Sequence, residues 1–561
     1  MKKNLLALSI AAMVGGIAGG ANAQVVANTV DITAVGGRLA YSNAAFGSLP
    51  AAAVARQAND LQINTDGTGH ILFVPYFTTQ SSNASLLNIV NTDLNNGKAV
   101  KLRYRGASNS DDLFDITIYL SPGDMWTANV AVDADGVSRL VTDDKSCTLP
   151  SAADIKADGG KFKTLRVRQG ANAKNETREG YIEILNMADI PVNLTTGSLY
   201  NAIKHVNGVA PCSSAQMDRQ ENALSNVAGS ANDPLVRGYS WPTGGLFANW
   251  TIVNLADSAS VSGEAVAIEA LAINATGGVT RNAQANLVWS PQTSADLAQQ
   301  QAIQLTADPL LAGGVVRAAS YDFPDLSTPY ALNRVGIPAG SSAPAEQAKL
   351  LASTLSVQAV TNEFLTNSAV NFATDWVFSM PTRRYAVAMD YNAGATNLVA
   401  GFTRTNVSII SNDAMTTDFF VAATATTPEI NSAANYRAGA NGNVFLSEDR
   451  NRICVSTNSL RGFDREENTK TTFVVSPGSA VNLCGEVSVL SFNNATSAVL
   501  SASLAQQTIN TSYADGWFRI TTPGLANAVR PGVNNGLPVI GFAAAKTRGA
   551  NLGGAWAHRY N

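Results

Sequence analysis

The chain has 561 residues, 45% of them hydrophobic and only 14% charged, with a formal net charge of −4. That length supports two to four domains, each with its own core. An acidic chain without a basic run has no electrostatic footprint for nucleic acid, and no second apolar stretch reaches membrane-span length. Polarity is carried by Asn, Thr, Ser and Gly instead of charge. That mix suits strands joined by tight turns.

The first element in chain order is a signal peptide over residues 1–23. Lys2 and Lys3 precede an apolar run from Leu5 to Ile17, and Ala21 and Ala23 supply an A-x-A cleavage site. Its removal leaves 561 − 23 = 538 residues and a net charge of −6. The expected location is therefore secreted, at the cell surface or envelope of a Gram-negative bacterium. No Cys adjoins the cleavage point, which argues against a lipid anchor.

Residues 24–60 are small and weakly patterned and read as an N-terminal arm. A β-sandwich domain is expected over 61–235, a second β-rich domain over 236–340, and a C-terminal β-rich domain with a helical insert over 341–561. Ile71 to Phe77 is a strand whose Pro75 suggests an edge or a bulge. Ala84 to Thr92 is another strand, and Asp93 to Gly97 a turn. Ala99 to Tyr104 alternates as a half-buried strand, Leu113 to Leu120 alternates again, and Met125 to Val132 follows a Ser-Pro-Gly-Asp turn. This spacing leaves no room for βαβ crossovers. The predicted class is all-β: tandem antiparallel sandwich domains, immunoglobulin-like, with a few short inserted helices.

A weak repeat suggests duplication. Ile89-Val90-Asn91 recurs as Ile252-Val253-Asn254, Ala99 to Leu102 as Ala265 to Ile268, and Leu120-Ser121-Pro122 as Trp289-Ser290-Pro291. Candidate helices run from Ser213 to Leu224, from Ser294 to Ile303, and from Ala343 to Leu355 with Pro344 in the first turn. Thr361 to Phe372 continues as a second helix before a strand at Trp376-Val377-Phe378. The Pro-rich piece Tyr321 to Pro329 reads as an ordered crossover between domains.

Four cysteines, Cys147, Cys212, Cys454 and Cys484, allow three disulfide pairings. Cys147–Cys212 and Cys454–Cys484 are expected, because each staples one region. The chain lacks Cys-x-x-Cys and has three His, which disfavours a cysteine metal site. It also lacks the nucleophile-elbow, zincin, Walker and dinucleotide-binding motifs. No catalytic residue and no organic cofactor is assigned, and the chain is not expected to be an enzyme. His70, His205 and His558 are isolated and expected in structural or surface roles.

The one candidate ligand is Ca²⁺, held by loop carboxylates at Asp133, Asp135, Asp143 and Asp144. The Ala131–Gly136 stretch resembles half an EF-hand loop, without its first acid and with Thr142 where the bidentate Glu belongs. The bland alternative is aspartates capping turns. Asp464, Glu466 and Glu467 are expected to form a local salt-bridge network with Arg465, and most tryptophans to fill cores.

Several pieces carry a resemblance: Val74-Pro75-Tyr76-Phe77, Ile89 to Thr92, Lys98 to Arg103, Asn109 to Asp112, Leu120 to Ala128, Asp375-Trp376-Val377, Pro381 to Tyr385, and Phe463 to Glu467. Together they resemble poorly characterised secreted, surface-layer-like cell-surface proteins of Gram-negative bacteria. The resemblance implies an exported β-rich surface protein and brings no catalytic residues. The leading expectation is a self-assembling surface-layer or envelope-coat component. Its partners would be copies of itself and outer-membrane or cell-surface components, not nucleic acid. An adhesin or ligand-binding surface module is the alternative, followed by a secreted hydrolase or an outer-membrane barrel.

Overall fold

A computed structural model describes residues 58–164, 167, 171–221, 229–254, 256–285, 350–369, 371–383, 452–467, 481–504, 506–523, 536–547 and 553–561. It also describes short strand segments at 24–26, 287–289, 321–322, 387–390, 407–409, 444–447 and 469–470. The signal peptide, nearly all of the N-terminal arm, the 294–303 helix, the Ser290-Pro291 repeat piece and all but two residues of the Pro-rich crossover lie outside the described residues.

The described chain is mostly β, in several sheets that pair antiparallel except between Val487–Phe492 and Gln506–Ile509. In the N-terminal half the strands are β1 (Asp60–Ile63), β2 (Ile71–Thr78), β3 (Asn83–Asn91), β4 (Asn96–Gly106), β5 (Asp112–Leu120), β6 (Met125–Val132), β7 (Ser138–Val141), β8 (Cys147–Leu149), β9 (Glu179–Pro191), β10 (Leu246–Asn254), β11 (Ala259–Glu264), β12 (Val266–Ile273) and β13 (Val279–Thr280). One sheet has eight strands, in the order β13-β12-β2-β9-β4-β5-β8, with β1 also on β12; the other has five, in the order β11-β10-β3-β6-β7. Register builds the core between them. Leu102 pairs with Ile116 and Ile184, so one face collects aliphatic side chains from three strands. On the five-stranded sheet Ile89 lies opposite Trp126 and Ala248. All six belong to one buried apolar cluster.

Pro75 marks a bulge and not an edge. Strand β2 is interior, but β12 pairs only with Ile71–Phe73, and the β9 register shifts between Gly180 and Ile182 opposite the proline. The missing N–H therefore interrupts no ladder bond. Strand β4 is not half-buried as its alternation suggested. Both faces are buried, because its Lys and Arg residues pair with carboxylates of neighbouring strands.

The boundary expected at 235/236 falls between strands of the same sheets: β10 and β11 complete the five-stranded sheet, and β12 pairs with β2. The repeated Ile-Val-Asn pieces sit on β3 and β10, which are antiparallel neighbours in one sheet, not equivalents in two sandwiches.

In the C-terminal half the strands of the two main sheets are β14 (Ala359–Leu365), β15 (Phe372–Ser379), β16 (Ser459–Phe463), β17 (Thr469–Lys470), β18 (Val487–Phe492), β19 (Gln506–Ile509), β20 (Asp515–Thr521), β21 (Ile540–Thr547), β22 (Gly553–Ala557) and β23 (Arg559–Tyr560). They form two five-stranded sheets, β17-β16-β20-β14-β23 and β19-β18-β15-β21-β22. Where a helix was expected over Thr361–Phe372, strand β14 runs on to Leu365, a turn follows, and β15 begins at Phe372. Val360, Asn362 and Phe364 are buried at period two, and that alternation overrides helical spacing. The preceding helix is present as far as it is described, at 350–355, with Leu350, Leu351 and Leu355 buried. A short helix at Ser214–Gln220 starts after Ser213, as expected.

The β19-β18-β15-β21-β22 sheet is covered on both faces. Trp376, Phe378, Leu490 and Phe492 face the other C-terminal sheet, where Phe364, Phe518 and Ile520 complete a second core. Val377, Val489, Phe542 and Ala544 join the core of the N-terminal half, with Trp250 against Phe542 at 4.6 Å between ring centroids. Within this sheet β21 runs close beside β15 at Gly541, where a Cβ would run into the Val377 carbonyl.

Both expected disulfides are formed. Cys147–Cys212 ties β8 to the segment before the Ser214–Gln220 helix, and Cys454–Cys484 joins Cα partners on adjacent strands. On the chain-entropy model each loop contributes about 4 kcal/mol. Replacing Cys454 and Cys484 by Ala should lower the urea midpoint, and so should replacing Cys147 and Cys212. An unchanged midpoint in either pair would show that its bridge does not constrain the unfolded chain.

Candidate functional site

The four carboxylates expected to hold Ca²⁺ are engaged separately. Asp133 Oδ1 accepts from the Asp135 and Val137 N–H groups at 2.8 and 3.2 Å. Lys161 bridges Asp133, at 3.2 Å, and Asp135. Its ammonium holds the Asp135 carboxyl below the usual range. Asp144 accepts from Thr127 N at 3.1 Å and Ser146 N at 2.8 Å, closing a turn. Asp143 is exposed. Turn closure and a lysine thus occupy the oxygens of Asp133, Asp135 and Asp144. Among the described residues no group of three or more His, Cys, Asp or Glu is placed to hold a metal ion. The expected 464–467 network is drawn differently: Arg465 pairs with Asp515 on β20 at 2.6 Å, and Asp464 accepts from Glu466 N at 2.9 Å.

Two histidines are structural pins. His70 is fully buried; Ala270 N–H donates to Nδ1 at 3.1 Å, which leaves Nε2 to donate to the Ala283 carbonyl at 2.8 Å. Burial pushes its pKa down to about 3. His558 bonds the Val377 carbonyl through Nε2 at 2.9 Å and meets Asn362 at Nδ1, also at 2.9 Å; burial lowers it to about 4. His205 lies 3.2 Å from Asp124. Trp126, Trp241, Trp250 and Trp376 are buried, as expected of core residues.

A ladder of buried charge crosses the eight-stranded sheet on the face opposite that of Leu102, Ile116 and Ile184. Lys101 lies 3.2 Å from Asp115, Arg103 3.6 Å from Asp115 and 4.0 Å from Glu183, and Arg105 3.5 Å from Glu183. All five side chains are nearly fully buried. Burial, then the nearby Asp112, raises Asp115 to about 6, and the three cations pull the other way. A one-residue slip would drive these charges into the aliphatic face, so the ladder penalises wrong registers.

A second buried array joins the two halves, and the segment 493–504 is its hub. Asp375 on β15 accepts four hydrogen bonds: from Ser491 Oγ (2.7 Å), Ser497 Oγ (2.6 Å), Val499 N (2.9 Å) and Leu500 N (3.0 Å). Glu179 on β9 grips the same segment further along. It accepts from Ser503 N at 2.7 Å, Leu504 N at 3.3 Å, Gln80 Nε2 at 2.9 Å and Tyr76 Oη at 3.1 Å. Asn83 donates to the Leu500 carbonyl at 2.8 Å. Burial raises the Glu179 pKa against the pull of these donors. One carboxylate from each half thus neutralises the polar backbone of one shared clasp.

Sequence reasoning did not single out Glu179, Gln80, Asn83 or the clasp. Three of the segment's partners, Glu179, Gln80 and Asn83, lie more than 300 residues upstream in the N-terminal half. This array joins the two halves through buried hydrogen bonds. No family model, no curated protein and no solved structure matches the chain.

Proposed function

We propose that this chain is an exported structural component of a cell-envelope coat that works by presenting surfaces to copies of itself. The observation that supports this best is the stack itself. Successive sheet layers share cores across both halves, and a buried clasp and two disulfides reinforce them. Such a body suits load-bearing and repeated contact. Two disulfides fit an oxidising compartment. Among the described residues no helix is long and apolar enough to cross a membrane. The immunoglobulin-like subtype is replaced by a broader reading, layered antiparallel sandwiches, because an eight-stranded sheet faces a five-stranded one.

Open sheets have edge strands, and edges pair unless blocked. Head-to-tail contacts between different patches give open arrays. Ca²⁺ is the proposed bridging ion at exposed loop carboxylates such as Asp143. Protein lacking residues 1–23 should sediment as extended assemblies, and chelation should shrink them. Assembly indifferent to chelator removes Ca²⁺ from the reading. A monomer at high concentration in both conditions would sink the array and favour a ligand-binding surface module, for which the stacked Trp517–Phe463 pair, with Trp517 exposed, is the supporting feature.

A further inference from the structure

The β17-β16-β20-β14-β23 sheet has one face in the second core and the other turned outward. Leu460, Phe518, Ile520 and Phe364 point inward. The alternate positions carry a different chemistry. Arg461 on β16 lies opposite Arg519 on β20, Arg519 opposite Thr361, and Thr361 opposite Arg559 on β23. Residues paired across antiparallel strands share a face. Three arginines therefore occupy one row spanning about 14 Å at the usual strand spacing. In the next row Phe463 lies opposite Trp517, and their rings stack at 4.1 Å and 11°. Trp517 is 38% exposed.

This row is not a sample of a generally basic surface, because the whole chain is acidic. Like charges placed directly opposite each other, as at Arg461 and Arg519, repel. Of the carboxylates nearby, Asp515 is paired with Arg465, and Glu363 stands in the aromatic row, opposite Trp517. Arg519 meets the neutral side-chain amide of Asn561 at 2.9 Å. This face therefore offers an aromatic pair, with Trp517 exposed and Phe463 half-buried, beside a row of three arginines.

We propose that this face binds an acidic polysaccharide. The apolar C–H faces of pyranose rings would lie on the Trp517–Phe463 pair, and guanidinium groups would fork onto the sugar carboxylates. Single-stranded nucleic acid has a related chemistry, but the two disulfides fit a compartment in which a glycan is the available polyanion. The inference stands on this face and not on self-assembly.

The test uses the whole chain, at a concentration where sedimentation shows no assembly. Alginate, neutral dextran and a single-stranded oligonucleotide are the probes. Alginate should bind and weaken with salt, and dextran should bind at least about tenfold more weakly. Arg461→Gln with Arg519→Gln should weaken alginate binding by about tenfold or more, and so should Trp517→Ala, with the unfolding midpoint of each variant unchanged. Arg559→Gln provides a third, independent variant on the same row. No alginate binding by the wild type, binding unaffected by these changes, or equal or tighter binding of the oligonucleotide would overturn the proposal. A chain that never assembles yet binds alginate keeps this inference; one that assembles and does not bind loses it.

Discussion

Acidification from pH 7 to pH 4 should remove about 3 kcal/mol of stability through His70 and a similar amount through His558. Both rings are neutral in the fold, with pKa values pushed to about 3 and about 4 by burial. In the unfolded chain each takes a proton near pH 6.5. The unfolded state therefore binds more protons over this window, and stability contributed by the neutral ring is present above 6.5 and lost as pH falls. Asp115, Glu179 and Asp189 work in the opposite direction, because burial raises their pKa values and the fold takes up their protons at a higher pH than the unfolded chain does. The net slope mixes both signs, so single variants isolate each ring. His70→Gln keeps a donor for the Ala283 carbonyl, and His558→Gln one for Val377. Each variant should be less stable at pH 7, yet lose about 1 kcal/mol less per pH unit than the wild type between pH 6 and 4. Urea midpoints across that range provide the measurement. Parallel pH profiles for wild type and variant would show that the ring does not stay neutral.

The histidines also show where legibility in the sequence stops. Structural roles for His70 and His558 were legible as an expectation, but nothing local says that Ala270, Ala283 or Val377 will be their partners. Strands such as Ile71–Thr78 and Asp112–Leu120 were legible, because alternation and turn residues are local signals. The Thr361–Phe372 segment was misread as helix because Val360, Asn362 and Phe364 reveal their period only against a sheet. The charge on β4 was read as a solvent face, since burial of Lys101 and Arg103 depends on carboxylates at Asp115 and Glu183 that register alone brings close. Cysteine pairing was legible, because proximity in sequence was a sufficient guide. The Asp133 and Asp135 reading failed to foresee Lys161, which the adjoining chain folds onto them.

The clasp supports the largest expected effect of a single substitution. Asp375→Ala would strand two buried N–H groups, at Val499 and Leu500, together with the hydroxyls of Ser491 and Ser497. Each buried donor left unpaired costs about 1–3 kcal/mol, so the total should be about 4 kcal/mol or more. Glu179→Ala should act in the same direction, freeing Ser503 N, Leu504 N and Gln80 at the junction of the halves. Glu179→Gln should behave differently. Oε1 accepts the Ser503, Leu504 and Gln80 donors, and an amide oxygen can replace it there; the amide nitrogen would then face the Tyr76 hydroxyl, which can rotate to accept. The substitution also removes a carboxylate whose ionisation burial opposes. Its effect at pH 7 should stay within about 1 kcal/mol. Limited proteolysis gives the local readout: cleavage within 493–504 should accelerate in Asp375→Ala and Glu179→Ala while Glu179→Gln resembles wild type. If Glu179→Gln is as damaging as Glu179→Ala, the charge itself holds the halves together, and the clasp works by ionic attraction and not by satisfying the polar atoms of one buried segment.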